Sequence, residues 1–291
     1  MVIKIRKIHL LAIVTITVSI LFIFAIKAEH KPISASNDAG IKLPIVMYHH
    51  VTEKPTRAGA YVIMKNELAT DLDYIKELGY TTVDVQDLID YVNGKKELPK
   101  KIIMITFDDG FRSVQELALP LLKERKMKAV VSPIGVVTEL YTQNGDKNIN
   151  YSYMTWQDLN LINQSDEFEV QNHTYDMHHS NKGERKGLSR KKGESPELYK
   201  ENLTKDLTKM QTLLKSKSNI NATAAVYPYG SYSAETLDIV KTIGFKCTML
   251  CEERINTIYR NDPNSLYGLG RFNRPSGKST KIFFEKLLEN R

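Results

Sequence analysis

Cysteine is nearly absent. Only Cys247 and Cys251 occur, so neither a disulfide framework nor a cysteine-rich zinc site organises the chain. Four residues apart in an apolar run, the two read as core packing, because partners this close along one strand or helix rarely meet disulfide geometry. A charge excess of one sign is also small. The formal net charge is +7 over 291 residues, and much of the surplus sits in Lys4, Arg6 and Lys7 and in the run from Lys182 to Lys192. Such local dressing differs from the basic face of a nucleic-acid-binding domain, so no nucleic-acid partner is expected. No internal repeat is present, which excludes a solenoid. What remains is ordinary globular composition, 42% hydrophobic and 26% charged, enough for one substantial core or two small ones.

The amino terminus carries the compartment signal. Lys4, Arg6 and Lys7 precede an uncharged apolar run from Leu10 to Ile26, just long enough to span a bilayer as a helix. The positive flank stays cytoplasmic. Residues 1–28 are therefore expected to form a cytoplasmic tip and a single-pass signal anchor in the cell membrane, with the remainder extracytoplasmic. Secretion after signal cleavage near Ala28 is the alternative, although Ile26 and Lys27 fit a small-residue cleavage site poorly. Residues 29–42, with Pro32 and Gly40, read as a linker, and 43–291 as the folded domain.

Beyond the linker, short apolar runs alternate with amphipathic patterns. Strands are expected at Leu43–Tyr48, near Thr82, from Ile102 into the Asp pair, at Ala129–Ile134, Phe168–Asn172, Ala224–Tyr227 and Phe245–Leu250, and near Leu269. Helices are expected after caps at Asn66, Asp84, Thr155, Ser195 and Ser233, from about Arg112 to Lys126 with a kink at Pro120, and from Thr280 to Glu289. Repeated βα units of this kind imply an α/β fold with a mostly parallel sheet, open or closed as a barrel.

The central stretch is Ile102-Ile103-Met104-Ile105-Thr106-Phe107-Asp108-Asp109-Gly110. A buried-strand composition stops at two carboxylates and a glycine. Asp-Asp-Gly alone is also an ordinary turn, but His49, His173, His178 and the loop Tyr227-Pro228-Tyr229-Gly230 likewise follow strand ends. In a parallel α/β sheet or barrel those ends converge on one rim, where active sites sit. Two imidazoles and one carboxylate make a three-ligand set for zinc or a similar divalent ion, leaving positions open for water and substrate. His173 and His178 are five apart, so a loop and not a helix face is expected to carry them.

Thr106-Phe107-Asp108-Asp109-Gly110 followed by His173-Thr174-Tyr175-Asp176-Met177-His178 resembles the first two motifs of the polysaccharide deacetylases, the NodB-homology domain of carbohydrate esterase family 4. The resemblance runs from about Leu43 to the carboxyl terminus. It implies a distorted (β/α) barrel, one divalent metal ion of the Zn2+ type held by Asp109, His173 and His178, and Asp108 as catalytic base. Two departures narrow the subgroup: the family's common pattern has its two His four apart, and its third motif begins with an Arg where this chain has Val226. Together with Met47-Tyr48-His49-His50-Val51, they resemble the extracellular deacetylases acting on poly-β-1,6-N-acetylglucosamine. That likeness implies His49 as general acid; His50 would point the other way along a continuing strand. It also implies a backbone N–H at Tyr229 for the oxyanion, with Tyr227 and Pro228 beside it. The family's late Trp pocket and His have no counterpart after Gly244, where only Leu269-Gly270-Arg271-Phe272 occupies the place.

The implied activity is metal-dependent removal of N-acetyl groups from N-acetylglucosamine units of an extracellular or cell-wall polysaccharide, leaving acetate and a cationic amine. Peptidoglycan or chitooligosaccharides are alternative substrates, and O-acetyl ester hydrolysis is a more distant one. A catalytically inactive carbohydrate-binding protein is the alternative of another class, but it has no need of a base beside a metal ligand. The basic run through Lys182, Arg185, Lys186, Arg190, Lys191 and Lys192 reads as a solvated loop or as a steering patch for an anionic surface. Tyr151 and Tyr153 are candidates for a sugar-stacking platform; Trp156, on a helix, reads as core.

Overall fold

The computed structural model describes residues 40–180 and 185–289. The predicted anchor over 10–26, the linker up to residue 39 and Lys182 lie outside the described residues. Among those described, no helix is long and apolar enough to cross a membrane. Strands β1 (Ile41–Leu43), β2 (Ile45–Tyr48), β3 (His50–Thr52), β4 (Val62–Met64), β5 (Thr81–Thr82), β6 (Ile102–Asp109), β7 (Ala129–Pro133), β8 (Phe168–Val170), β9 (Ala224–Val226), β10 (Cys247–Met249), β11 (Asn256–Ile258) and β12 (Phe272–Asn273) carry the sheet structure. The helices are α1 (Lys65–Glu77), α2 (Val85–Val92), α3 (Leu119–Arg125), α4 (Gly135–Asn144), α5 (Trp156–Asn163), α6 (Pro196–Ser218), α7 (Thr236–Ile243) and α8 (Thr280–Glu289).

Parallel pairing runs β12-β2-β6-β7-β8, and β9 pairs in parallel with β10. Bridges Asn172↔Ala225 and Met249↔Leu269 join the two sets into a ring, the last returning to the segment that holds β12. The expected α/β barrel is thus the observed architecture, and its irregularity lies in those two single-bridge seams. On β6 the alternation of a strand sorts residues between two cores. Ile103, Ile105 and Phe107 pack outward with α1, α3 and α6, while Ile102 and Met104 pack inward with Ala224, Val226, Cys247 and Met249.

Several boundaries differ from the sequence expectation. Pro44 cannot donate to a ladder, and it splits the expected first strand: Ile41 and Lys42, read as linker, pair antiparallel with Ile258 and Thr257. Helix α1 starts one residue before Asn66 and closes on Glu67, whose carboxylate accepts from the Met64 N–H at 3.2 Å. Glu235 and not Ser233 precedes α7, while Asp84, Thr155 and Ser195 cap as expected. The Pro120 break is a π-helical turn over Val114–Ala118 running into α3; a proline without an N–H favours such a slip in the ladder. Helix α4 has a weak apolar stripe and was not anticipated. Cys247 and Cys251 are both free.

Candidate active site

Period-two alternation along β6 puts Asp108 on the inward side, with Ile102, Met104 and Thr106. Asp109 would then point outward. Its φ of +70° breaks the alternation, so adjacent carboxylates reach the same barrel mouth. Gly110 completes the turn: at φ +81° a Cβ there would lie 2.7 Å from Pro133 Cβ, which no side chain tolerates. Asp109 Oδ1 lies 3.5 Å from His173 Nε2 and 3.2 Å from His178 Nε2.

The donor atoms of Asp109, His173 and His178 lie within 4.8 Å of one another. His173 is buried, and its Nδ1–H donates to the Val226 carbonyl at 2.9 Å; this fixes the tautomer and leaves Nε2 as a lone-pair donor. His178 Nδ1 is hydrogen-bonded to the Tyr229 hydroxyl at 3.0 Å, so its Nε2 also faces Asp109. Oδ1 of Asp109 is buried without a hydrogen-bond partner among the described residues. A buried, orphaned carboxylate oxygen facing two imidazoles fits a divalent cation. Burial would raise the Asp109 pKa, but His173, His178 and His49 hold it far below the usual carboxylate range.

Asp108 is gripped from the other side. Arg271 Nη1 and Nη2 each donate to one of its oxygens at 2.7 Å, and Nη1 also reaches Thr106 Oγ1 at 3.2 Å. Both partners of this ion pair are buried. Burial would push Asp108 up, yet the Arg271 charge, with His173 and His49 adding, keeps it below the ordinary carboxylate value. Arg271 was not singled out as a site residue from sequence. Its signal was an arginine inside the apolar stretch Leu269–Phe272, where a cation is expensive unless paired.

His49 follows Ile45 and Met47 on the inward side of β2, and its ring meets Tyr61 edge-on with centroids 5.0 Å apart. Its Nδ1 is buried without a hydrogen-bond partner among the described residues. Burial lowers its pKa, with Asp108 and Asp109 pushing back up. His50 also lines the cleft, but its Nε2–H is committed to the Asn150 carbonyl at 2.9 Å. Between these groups lies a cleft of about 690 Å³, lined by the metal-type triad, Asp108, His49, Tyr229, Tyr61, Phe111, Tyr151, Tyr153, Lys186 and Cys251. Phe111 and Tyr153 stack at 4.4 Å.

Not every sequence candidate reaches this cleft. Tyr229 does, on a backbone with φ +58°. Tyr227 has the opposite strand parity to Val226 and packs outward among Leu203, Leu207 and Val240; Pro228 is buried beneath the turn. Neither lines the cleft, so of the three residues expected at the substrate only Tyr229 is there. Trp156 is core, as expected. In the basic run Lys186, Arg190, Lys191 and Lys192 are exposed on a loop, as expected, whereas Arg185 is buried and ion-paired with Glu194.

Comparison with known proteins points to one family. The polysaccharide deacetylase family profile matches residues 95–248, more than half of the chain. The poly-beta-1,6-N-acetyl-D-glucosamine N-deacetylase of Escherichia coli (strain K12) is 24% identical over 217 residues, covering 69% of this chain and 32% of that protein. Its namesake from Staphylococcus aureus (strain MRSA252) is 24% identical over 203 residues, covering 69% of this chain and 65% of its own length. The chain thus spans about a third of the first relative and just under two thirds of the second. A de-N-acetylase structure from Aggregatibacter actinomycetemcomitans superposes with TM-score 0.72 at 23% identity, covering 84% of this chain and 99% of that one. IcaB from Ammonifex degensii superposes with TM-score 0.66 at 26% identity, covering 86% and 97%. With the Asp pair and both histidines gathered at the mouth of the barrel, and the profile matched from before β6 into β10, the chain belongs to the polysaccharide deacetylase family.

Proposed function

We propose that this protein is a metal-dependent N-deacetylase acting on N-acetylglucosamine units of a poly-β-1,6-linked polysaccharide outside the cytoplasm, tethered by the segment over 10–26. The observation that carries the reading is the pairing of an orphaned Asp109 oxygen with two oriented imidazoles, next to a second carboxylate clamped by Arg271. The linkage is supported by the names of the relatives and by the Tyr48-His49-His50 motif.

Asp109, His173 and His178 would hold the ion, with Zn2+ the proposed metal. When bound, a divalent ion supplies Lewis acidity toward the amide carbonyl and makes water more acidic. Asp108, kept ionised by Arg271, accepts the proton of the attacking water. His49 returns a proton to the nitrogen as the C–N bond breaks. The Tyr229 backbone N–H donates to the oxyanion. The Tyr229 hydroxyl keeps His178 oriented, and Phe111 with Tyr153 forms an aromatic wall for the sugar's apolar face.

The test is acetate release by the full-length protein from a β-1,6-linked and a β-1,4-linked N-acetylglucosamine oligomer, with and without zinc. Zinc-dependent release from the β-1,6 oligomer is expected, reduced about 10²–10⁴-fold in Asp108→Asn and in His49→Ala. Release from the β-1,4 oligomer alone overturns the linkage, and release unaffected by Asp108→Asn overturns the mechanism.

A further inference from the structure

The loop after residue 184 is anchored by buried groups on both sides of one exposed lysine. Arg185 is ion-paired with Glu194. Leu188 is buried; its N–H donates to the Ser231 carbonyl at 3.1 Å, and its carbonyl accepts from the Tyr199 hydroxyl at 2.6 Å. Gly187 has φ +50°, and a Cβ there would lie 2.2 Å from the Pro228 carbonyl oxygen. The loop backbone is therefore pressed against the turn that carries Tyr229. Held between these residues, Lys186 lines the catalytic cleft and has no ion pair among the described residues.

The charge of the cleft wall follows. Of its two carboxylates, Asp108 is matched by Arg271, and Asp109 faces the imidazoles that complete the metal-type triad. Arg57 also lines the cleft, its guanidinium donating to the neutral Asn150 carbonyl at 2.6 Å. Lys186 and Arg57 are thus cations with no carboxylate partner in the wall among the described residues.

Each turnover of the proposed reaction places a cation in the polymer. Water's oxygen forms the new C–O bond, the C–N bond breaks, acetate leaves, and the sugar nitrogen takes up protons to become an ammonium. We propose that Lys186 is a specificity-determining residue that disfavours chains carrying such an ammonium within the cleft, so that successive deacetylations are spaced along the polymer. The inference rests on the N-deacetylase reading above. Like charges about 7 Å apart in a solvated cleft change binding by about three- to tenfold, and added salt weakens the effect because the Debye length is about 3 Å at 1 M.

The experiment compares kcat/KM of the full-length protein on a fully acetylated β-1,6 oligomer with that on the same oligomer carrying one glucosamine unit. Wild type is expected to prefer the fully acetylated chain by about three- to tenfold, less so at high salt. Lys186→Glu is expected to abolish or reverse the preference. Lys192→Glu makes the same charge change on an exposed residue outside the cleft lining and is expected to leave the ratio in place. An unchanged ratio in Lys186→Glu, or an equal shift in Lys192→Glu, overturns the proposal. Calorimetric affinity for a fully deacetylated oligomer reads the same effect without turnover and is expected to rise in Lys186→Glu. No acetate release with that affinity gain intact overturns the deacetylase reading; acetate release with unchanged ratio and affinity overturns this one.

Discussion

At the scale of single residues, the arrangement around Asp108 sets the pH behaviour. A buried carboxylate is driven toward its neutral form, and here the bidentate guanidinium of Arg271 reverses that tendency. Removing one partner of a buried pair leaves the other charge uncompensated, at a cost of about 3–5 kcal/mol. Arg271→Met is therefore expected to lower stability by that order and to move the acidic limb of kcat/KM to higher pH, because Asp108 loses the charge that kept it ionised. Arg271→Lys keeps the charge without the fork, so its limb should fall between the two. A pH–rate profile that is the same in all three proteins would remove Arg271 from the account. The residue is also where sequence reasoning fell short: its partner lies 163 positions away, and only the pairing of β12 with β2 and of β2 with β6 carries the segment before β12 to Asp108.

At the scale of elements, the site depends on backbone that a strand or helix would not supply. Asp109 and Tyr229 both have positive φ, which costs about 1–3 kcal/mol at each non-glycine position and persists only where the surroundings hold it. The Gly187 contact with Pro228 is part of that hold. Gly187→Ala should destabilise the protein by about 1–3 kcal/mol and raise KM more than it lowers kcat, as read from thermal melts and steady-state kinetics with the oligomer. The strands that deliver Asp108 and His173 were legible because an apolar run ending in polar residues survives in sequence. Helix α4 and the β3–β4 pair were not, since their segments owe their form to the barrel surface they cover.

At the scale of the whole molecule, ligand binding and proton uptake both couple to folding. Zinc at about 100 times its dissociation constant adds about 2.7 kcal/mol to the folded state, so a differential-scanning melt should rise by about 5–10 °C, and Asp109→Asn should abolish the rise. A second linkage sits at the opposite end of the barrel. Glu169, inward-facing on β8, accepts from the Val85 N–H at 2.6 Å; burial, with Asp84 and Asp87 nearby, pushes its pKa up to about 8. A carboxyl whose folded pKa is raised holds its proton more tightly when folded. Its contribution is thus full below about pH 4.5 and is lost as pH climbs through 8. Between pH 5 and 8, urea titrations should show wild type losing about 1–3 kcal/mol relative to Glu169→Gln, and parallel curves would remove that assignment.

What the sequence determined by itself is whatever rests on local pattern: the βα alternation, the ends of the strands, and the Asp-Asp-Gly and two-histidine motifs with their likeness to a known family. Strand periodicity is written residue by residue, so it can be read without a partner. The tertiary structure alone decided which polar groups meet. It turned Tyr227 outward and Tyr229 inward, set Arg271 on Asp108, and folded Lys186 into the cleft. Those outcomes depend on barrel closure and on left-handed backbone at two positions, where contacts between distant segments outweigh local preference.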